Sequence, residues 1–291
     1  MARTVIFTDS TVDLPDDIIV ANDIRVVPQY VTLDGDSLQD GISVKPGDIY
    51  EYVKRTGKTP KTATTTSVDF AAAFSPVIAE GDEIVFIGIS EKLSATVHQA
   101  QLAAIECAGH DGGTDSVIRV LDGRSLSTGT ALSVLKACEY ARNGMSADEI
   151  SSELAAYTPR VRASFVLDSL QFLYYGGRCS ALQSIGASLL KIKPRIEVIG
   201  GEMRPGEKYR GSLVHVARQF AQNILKGTDK IDPDRVFITY SEGTDQAVIS
   251  AVRDEVYCAN CFREVIETVA GCVITCHCGR NAIGLLYAEK G

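Results

Sequence analysis

Three short runs in the N-terminal third concentrate side-chain hydroxyls: Thr8-Asp9-Ser10-Thr11, Lys61-Thr62-Ala63-Thr64-Thr65-Thr66-Ser67 and Ser90-Glu91-Lys92-Leu93-Ser94-Ala95-Thr96. Ser and Thr are favoured helix N-caps, so capping alone accounts for any one of them. The first, however, follows an apolar strand pattern, the second leads into a helical one and the third lies between the two, and open α/β sheets place their ligands just past strand ends. Hydroxyls beside free N–H groups at the positive end of a helix dipole suit a carboxylate or a phosphate. A fourth run, Tyr174-Tyr175-Gly176-Gly177-Arg178-Cys179-Ser180, lets the backbone turn sharply and present a guanidinium. The plainer reading of that run is a helix C-cap followed by a surface arginine.

His277 is expected at the end of an apolar strand over 273–276, just before Gly279. That placement makes it the histidine best sited for acid–base work or ligand binding, whereas His98, His110 and His215 read as structural or surface residues. Eight cysteines need a separate account. Cys258 and Cys261 have a C-x-x-C spacing, and with Cys276 they could hold zinc or do redox chemistry; the alternative is small buried hydrophobes in a reducing compartment. Ser94 with His277 also raises a Ser/His hydrolase of lipid or acyl substrates, but the strained nucleophile elbow is missing and no acid is marked as the histidine's partner.

The elements that must position these groups alternate. Strands are predicted over 4–8, 25–33, 83–89, 117–122, 163–167, 195–199, 235–240, 263–269 and 273–276. Helices are predicted over 45–55, 68–79, 94–107, 125–143, 147–157, 180–190, 212–225 and 246–256. Near-continuous apolar strands between helices point to α/β units with covered sheets. Ser146-Ala-Asp-Glu149 is a capping box, and Gly144 ends the helix before it. Thr158-Pro159 is a plausible lobe boundary, dividing 1–160 from 161–291, and Gly200-Gly201 predicts a hairpin in the second lobe.

Composition bounds the function. At 291 residues the chain suits two lobes, and 45% hydrophobic with 23% charged residues is a globular balance. A net charge of −8 argues against broad nucleic-acid binding. No apolar run reaches the roughly 18 residues that span a bilayer. The first ten residues lack a secretory signal, so a cytoplasmic protein is expected. Neither a Walker A loop nor a Gly-x-Gly-x-x-Gly turn occurs, so no nucleotide or other cofactor is expected.

The ordered set of motifs resembles the DegV family of two-lobed bacterial proteins. The matching residues are Thr8-Asp9-Ser10-Thr11-Val12-Asp13-Leu14-Pro15, Pro60-Lys61-Thr62 and Ser90-x-x-Leu93-Ser94-Ala95-Thr96. They continue as Leu167-Asp168-Ser169-Leu170-x-Phe172-Leu173-x-x-Gly176-Gly177-Arg178-x-Ser180, Lys193-Pro194, Gly201-Glu202 and His277-x-Gly279, over residues 3–289. The chain departs from the family at Ala63–Thr66, at Ala95 where a glycine is usual, and at Arg280-Asn281.

The resemblance implies a three-layer α/β N-terminal lobe, a smaller α/β C-terminal lobe and an apolar tunnel for a long-chain fatty acid. It further implies that Thr62 and Ser94 hold the carboxylate, that His277 lies beside the head group and that Arg178 stands at the rim. Ser10, Thr11, Ala95 and Gly177 take secondary contacts. The protein would be a non-enzymatic carrier that presents the carboxylate to a separate, ATP-binding fatty-acid kinase and so serves phospholipid metabolism. Under this reading His277 could donate to the carboxylate or assist its phosphorylation. Arg204, Lys208 and Arg210 after the hairpin could dock that kinase, or form a solvated hairpin end.

Overall fold

Apolar β-branched runs and amphipathic helices build two main sheets with helices between and outside them. The computed structural model describes residues 2–110, 118–179 and 192–291. The first part runs β1 (Thr4–Asp9), α1 (Asp16–Ala21), β2 (Arg25–Val27), β3 (Tyr30–Leu33), β4 (Asp36–Gln39), α2 (Pro46–Thr56), β5 (Lys61–Ala63), α3 (Ser67–Ala79), β6 (Glu83–Gly88), α4 (Thr96–His110), β7 (Ile118–Asp122), α5 (Thr128–Arg142) and α6 (Ala147–Tyr157). The second runs β8 (Val161–Leu167), α7 (Gln171–Gly176), β9 (Lys193–Ile199), β10 (Glu202–Tyr209), α8 (Leu213–Leu225), β11 (Ile231–Tyr240), α9 (Gln246–Ala259), β12 (Glu264–Val269), α10 (Cys272–Cys278) and β13 (Ala282–Glu289).

The first sheet is parallel, in the order β2-β1-β6-β7. The second is mixed, in the order β10-β9-β8-β13-β11-β12, with only β11 and β12 parallel. A small antiparallel sheet, β4-β3-β5, stands apart. Phe70 and Phe74 of α3 pack on Phe7 and Phe86 to cover one face of the parallel sheet. Helix α5 touches β1 and β6 on one side and β8, β11 and β13 on the other, so it lies between the two main sheets. Nearly every α5 side chain from Thr128 to Cys138 is buried. Helices α8 and α9 close the far face of the mixed sheet through Phe220, Val252 and Ile249. One core therefore runs without a break from Ile6 and Val85 to Phe165 and Leu286.

Several expectations change. The 25–33 run divides at Pro28, which cannot donate to a ladder, and its two pieces enter different sheets. The helix expected from Ser94 begins at Thr96. Residues 273–276, read as a strand from their β-branched content, form the middle of α10. His277 is therefore on a helix and not at a strand end. Strand β13 was not foreseen, because Gly284 and the Ala/Leu-rich run around it carry little strand propensity, yet it lies between β8 and β11 in the mixed sheet. The 200–201 turn does join β9 to β10, with both glycines at positive φ. The Ser146 capping box also forms, Glu149 Oε2 accepting from Ser146 N at 2.8 Å. The helix expected over 180–190 lies outside the described residues.

Gly279 closes α10 at φ 69°, ψ −162°, a conformation that only glycine adopts at low cost. A Cβ there would also stand 2.6 Å from the Phe172 ring. Gly279→Ala is expected to lower stability by about 1–3 kcal/mol, measured as a lower midpoint in urea denaturation.

Candidate functional site

Helix α10 has seven residues and poor intrinsic propensity, so its position depends on what holds its ends. It packs against α2, α7, β3 and β5. At its N-terminus two buried aspartates from the first part of the chain accept its first amides. Asp13 Oδ1 takes Gly271 N at 2.8 Å and Asp40 Oδ1 takes Cys272 N at 2.9 Å. Asp13 Oδ2 also accepts from Ser127 Oγ at the start of α5, and Thr268 Oγ1 donates to the Asp13 carbonyl at 2.7 Å. Asp13 and Ser127 both adopt positive φ, 52° and 51°, a conformation retained only where surrounding bonds over-determine it.

The first hydroxyl run belongs to this clamp. Ser10 Oγ donates to Asp40 Oδ2 at 2.9 Å, and Thr11 Oγ1 donates to Asp9 Oδ1 at 2.5 Å. Asp9 Oδ2 accepts from Ile89 N at 2.9 Å and so joins the ends of β1 and β6. The second run divides its work. Thr66 caps α3, Thr65 Oγ1 donates to the Pro28 carbonyl, and Thr62 and Thr64 line a cavity.

That cavity encloses about 60 Å³ and gathers Thr62, Thr64, Ser94, Arg178 and His277 with Thr11 and Gln29. Thr62 Oγ1 and His277 Nε2 are 3.0 Å apart. Thr96 Oγ1 joins Ser94 Oγ at 2.8 Å and Thr64 Oγ1 at 3.0 Å. Arg178 follows Gly177, the left-handed C-cap of α7, and is held by a bond from Nη1 to the Gly176 carbonyl at 2.6 Å. The two readings of the Gly-Gly-Arg run thus hold together: it is a C-cap, and its arginine lines the cavity. Burial, and then the nearby Arg178 charge, push the His277 imidazole down to about 4, so the ring is neutral at neutral pH. Its Nδ1 is sealed from solvent and has no hydrogen-bond partner among the described residues.

Inward, Leu126, Ile274 and Cys278 separate the cavity from a second space of about 30 Å³ lined by Phe165, Tyr240 and Leu286. Outward, Leu93, Arg178 and Met203 separate it from an open groove of about 520 Å³ that also carries Lys92, Gly177 and Arg204. The hairpin tip closes this side, Ser90 Oγ donating to the Gly201 carbonyl at 2.8 Å. Two wider grooves, about 630 Å³ beside Pro76 and about 590 Å³ beside Tyr287, share no residue with the cavity.

Some expected residues stand elsewhere. Ala95 is exposed and does not line the cavity, and the Ser10 hydroxyl is turned to Asp40. Arg204 lines the outer groove and pairs with Glu202 at 3.0 Å, whereas Arg210 lies beyond the end of β10 and outside that groove. Arg280, where the chain departs from the family pattern, stacks on the Tyr50 ring at 4.1 Å. Among the described residues no hydrogen bond joins Ser94 to His277 and no acid bonds Nδ1, so the hydrolase arrangement is not assembled. Cys258 and Cys261 lie at the exposed end of α9, while Cys276 is buried with Val31 and Val44. Among the described residues no group of three or more His, Cys, Asp or Glu could hold a metal.

Gln29 was not among the expected residues. It lies between β2 and β3, is 2% exposed and lines the cavity. The signal for it is a buried-type position in an apolar run that carries an amide.

Comparison with known proteins gives this arrangement a lineage. Residues 3–290 match the model of the DegV family of uncharacterised proteins. A DegV domain-containing protein of Caldanaerobacter subterraneus subsp. tengcongensis is 32% identical over 293 residues, covering all of both chains. Among solved structures, a DegV family protein from Thermus thermophilus described by its fatty-acid binding superposes with a TM-score of 0.89 at 29% identity, covering 99% of this chain and 100% of that one. DegV of Bacillus subtilis, described as a fatty-acid-binding protein, shares the fold at a TM-score of 0.85 and 24% identity, covering all of both chains. The chain belongs to the DegV family and has a mixed α/β fold that superposes on members of that family.

Two predictions follow from the site geometry. Burial raises Asp13 from 3.8 to about 8, against the pull of its bonds from Ser127 and Gly271. The native state therefore keeps a proton that the unfolded chain releases, and this stabilisation is complete below the unfolded value and lost as pH rises through the folded one. Asp13→Asn is expected to flatten the fall in urea-denaturation stability between about pH 5 and about pH 9. Separately, a Cβ on Gly176 would stand 2.2 Å from His277 Nδ1. Gly176→Ala is expected to displace the ring at a cost of about 1–3 kcal/mol, with the change in the His277 ¹⁵N resonances as readout.

Proposed function

We propose that this chain binds a long-chain fatty acid, with its acyl chain in the apolar spaces between lobes 1–160 and 161–291 and its carboxylate at Thr62, Ser94, His277 and Arg178. The observation that carries this reading is the juxtaposition of a hydroxyl–imidazole–guanidinium cavity with an apolar space directly behind it. The fatty-acid binding described for the Thermus relative supports it.

The energetics favour such a ligand. Each buried methylene contributes about 0.8 kcal/mol, so a sixteen-carbon chain offers on the order of 10 kcal/mol before ordering costs. A water needs roughly 10–15 Å³ of such space, so the inner space holds few, and a long chain has to part Leu126, Ile274 and Cys278. The carboxylate must not be buried unpaired. Thr62 and Ser94 supply neutral donors, and Arg178 supplies the positive charge on the solvent side. An incoming carboxylate favours the imidazolium form and so moves His277 upward from its depressed value.

The same reading makes the chain a carrier and not an enzyme. It presents the carboxylate through the outer groove to a separate ATP-binding kinase, which forms the acyl-phosphate. The groove carries Lys92, Arg178 and Arg204, cations suited to an approaching phosphate or an acidic partner face. Such a carrier works in the cytoplasm and serves phospholipid metabolism. No helix among the described residues is long and apolar enough to cross a membrane.

The test is mass spectrometry of an organic extract of the purified protein. About one fatty acid per chain is expected, with Ser94→Ala weakening rebinding after delipidation by roughly tenfold. A protein that carries no fatty acid and ignores added palmitate would overturn the reading.

A further inference from the structure

We infer that Gln29 is a head-group residue, a fixed amide donor whose side chain completes the carboxylate's hydrogen bonding in the cavity. The inference rests on the fatty-acid reading above and adds to it a residue that the family motifs do not mark.

The side chain is almost wholly buried and lines the cavity together with Thr62, Ser94 and His277. Its orientation follows from its partners. Gln29 Oε1 accepts from Thr65 N at 3.2 Å, and a backbone N–H can only donate, so the oxygen must face Thr65. The Nε2 group is then the other end of the amide. It is sealed from solvent and has no hydrogen-bond partner among the described residues. A buried amide donor left unpaired is costly, so such a group calls for an acceptor that arrives with a ligand.

The main chain of Gln29 is held as firmly. Gln29 N donates to Ser10 Oγ at 3.0 Å, and Asp40 N donates to the Gln29 carbonyl at 2.9 Å. The preceding Pro28 carbonyl accepts from Thr65 Oγ1. Ser10 bonds to Asp40, and Asp40 accepts from the first amide of α10, so one network sets both Gln29 and the helix carrying His277. A donor fixed before binding loses little entropy when the ligand arrives.

The chemistry selects an acceptor-only group. An ionised carboxylate offers two oxygens and no competing proton, and it takes a donor's bond more strongly than a neutral acceptor does. A fatty alcohol of the same length makes the same apolar contacts and gains less from Nε2. Gln29 therefore discriminates acid from alcohol without adding charge to the interior.

The experiment measures palmitate and hexadecanol affinity for delipidated wild type, Gln29→Leu and Gln29→Glu by calorimetry, with ¹H–¹⁵N spectra of the Gln29 side-chain amide with and without palmitate. The leucine variant is expected to lose about tenfold in palmitate affinity and distinctly less for hexadecanol. The glutamate variant, which sets like charges together, is expected to bind palmitate more weakly still at pH values where it is ionised. In the wild type the Gln29 amide resonances should shift on adding palmitate. A folded leucine variant with unchanged palmitate affinity would overturn the inference. If that variant does not fold, amide resonances unmoved by palmitate in the wild type would overturn it instead. Failure of the wild type to bind palmitate at all would count against the fatty-acid reading itself.

Discussion

The bonds from Asp13 and Asp40 to the first amides of α10 tie the chain together. They join residues more than two hundred positions apart and hold a helix too short to stand alone. Side-chain oxygens at a helix N-terminus satisfy donors that have no partner within the helix. Asp13 extends the clamp to α5 through Ser127, and Asp40 extends it to β1 through Ser10. His277 rides on the helix that this network holds and Gln29 bonds to Ser10 and Asp40 directly, whereas Ser94 and Thr64 meet through Thr96. The arrangement also explains the two left-handed residues, since Asp13 and Ser127 are held where their side chains can meet.

The cavity is divided by sign and by polarity. Its inner wall is apolar, its lip carries neutral hydroxyls and a neutral imidazole, and the positive charges of Arg178 and Lys92 stay on the open side, where Arg204 is paired with Glu202. This gradient admits an anion without burying a permanent cation, whose desolvation would exceed its attraction. It is compatible with a chain of net charge −8, because the attraction needed is local and short-ranged.

Apart from Cys258 and Cys261, the cysteines are buried as packing residues. Cys272 and Cys276 lie beneath the three-stranded sheet, and Cys272 Sγ donates to the Val44 carbonyl at 3.1 Å. Burial pushes the thiols of Cys272, Cys276 and Cys278 upward, with Cys278 at about 12, so none is a thiolate at neutral pH. Cys278 matters for its place in the wall between the two inner spaces and not for reactivity.

Local sequence determined what depends on local physics. The alternation of β-branched runs with amphipathic stretches was enough for an α/β protein, the Ser146–Glu149 box for the start of α6, and the paired glycines for the β9–β10 turn. Residues of the hydroxyl clusters and of the Gly-Gly-Arg run come together around one cavity, and motif order supplied the family. Tertiary structure decided the rest. Residues 273–276 have the composition of a strand and form a helix because two distant aspartates cap it and Gly279 ends it. Strand β13 takes its place between β8 and β11 because its backbone pairs with both neighbours, which no single-strand propensity records. Ser10, which looks like a ligand hydroxyl, donates to Asp40, Thr11 lines the cavity but donates its hydroxyl to Asp9, and Gln29, which looks like nothing, lines the cavity too. These outcomes turn on which donor meets which acceptor across hundreds of residues. Such pairing is a property of the packed chain, because a buried polar group takes whichever partner the fold brings within reach.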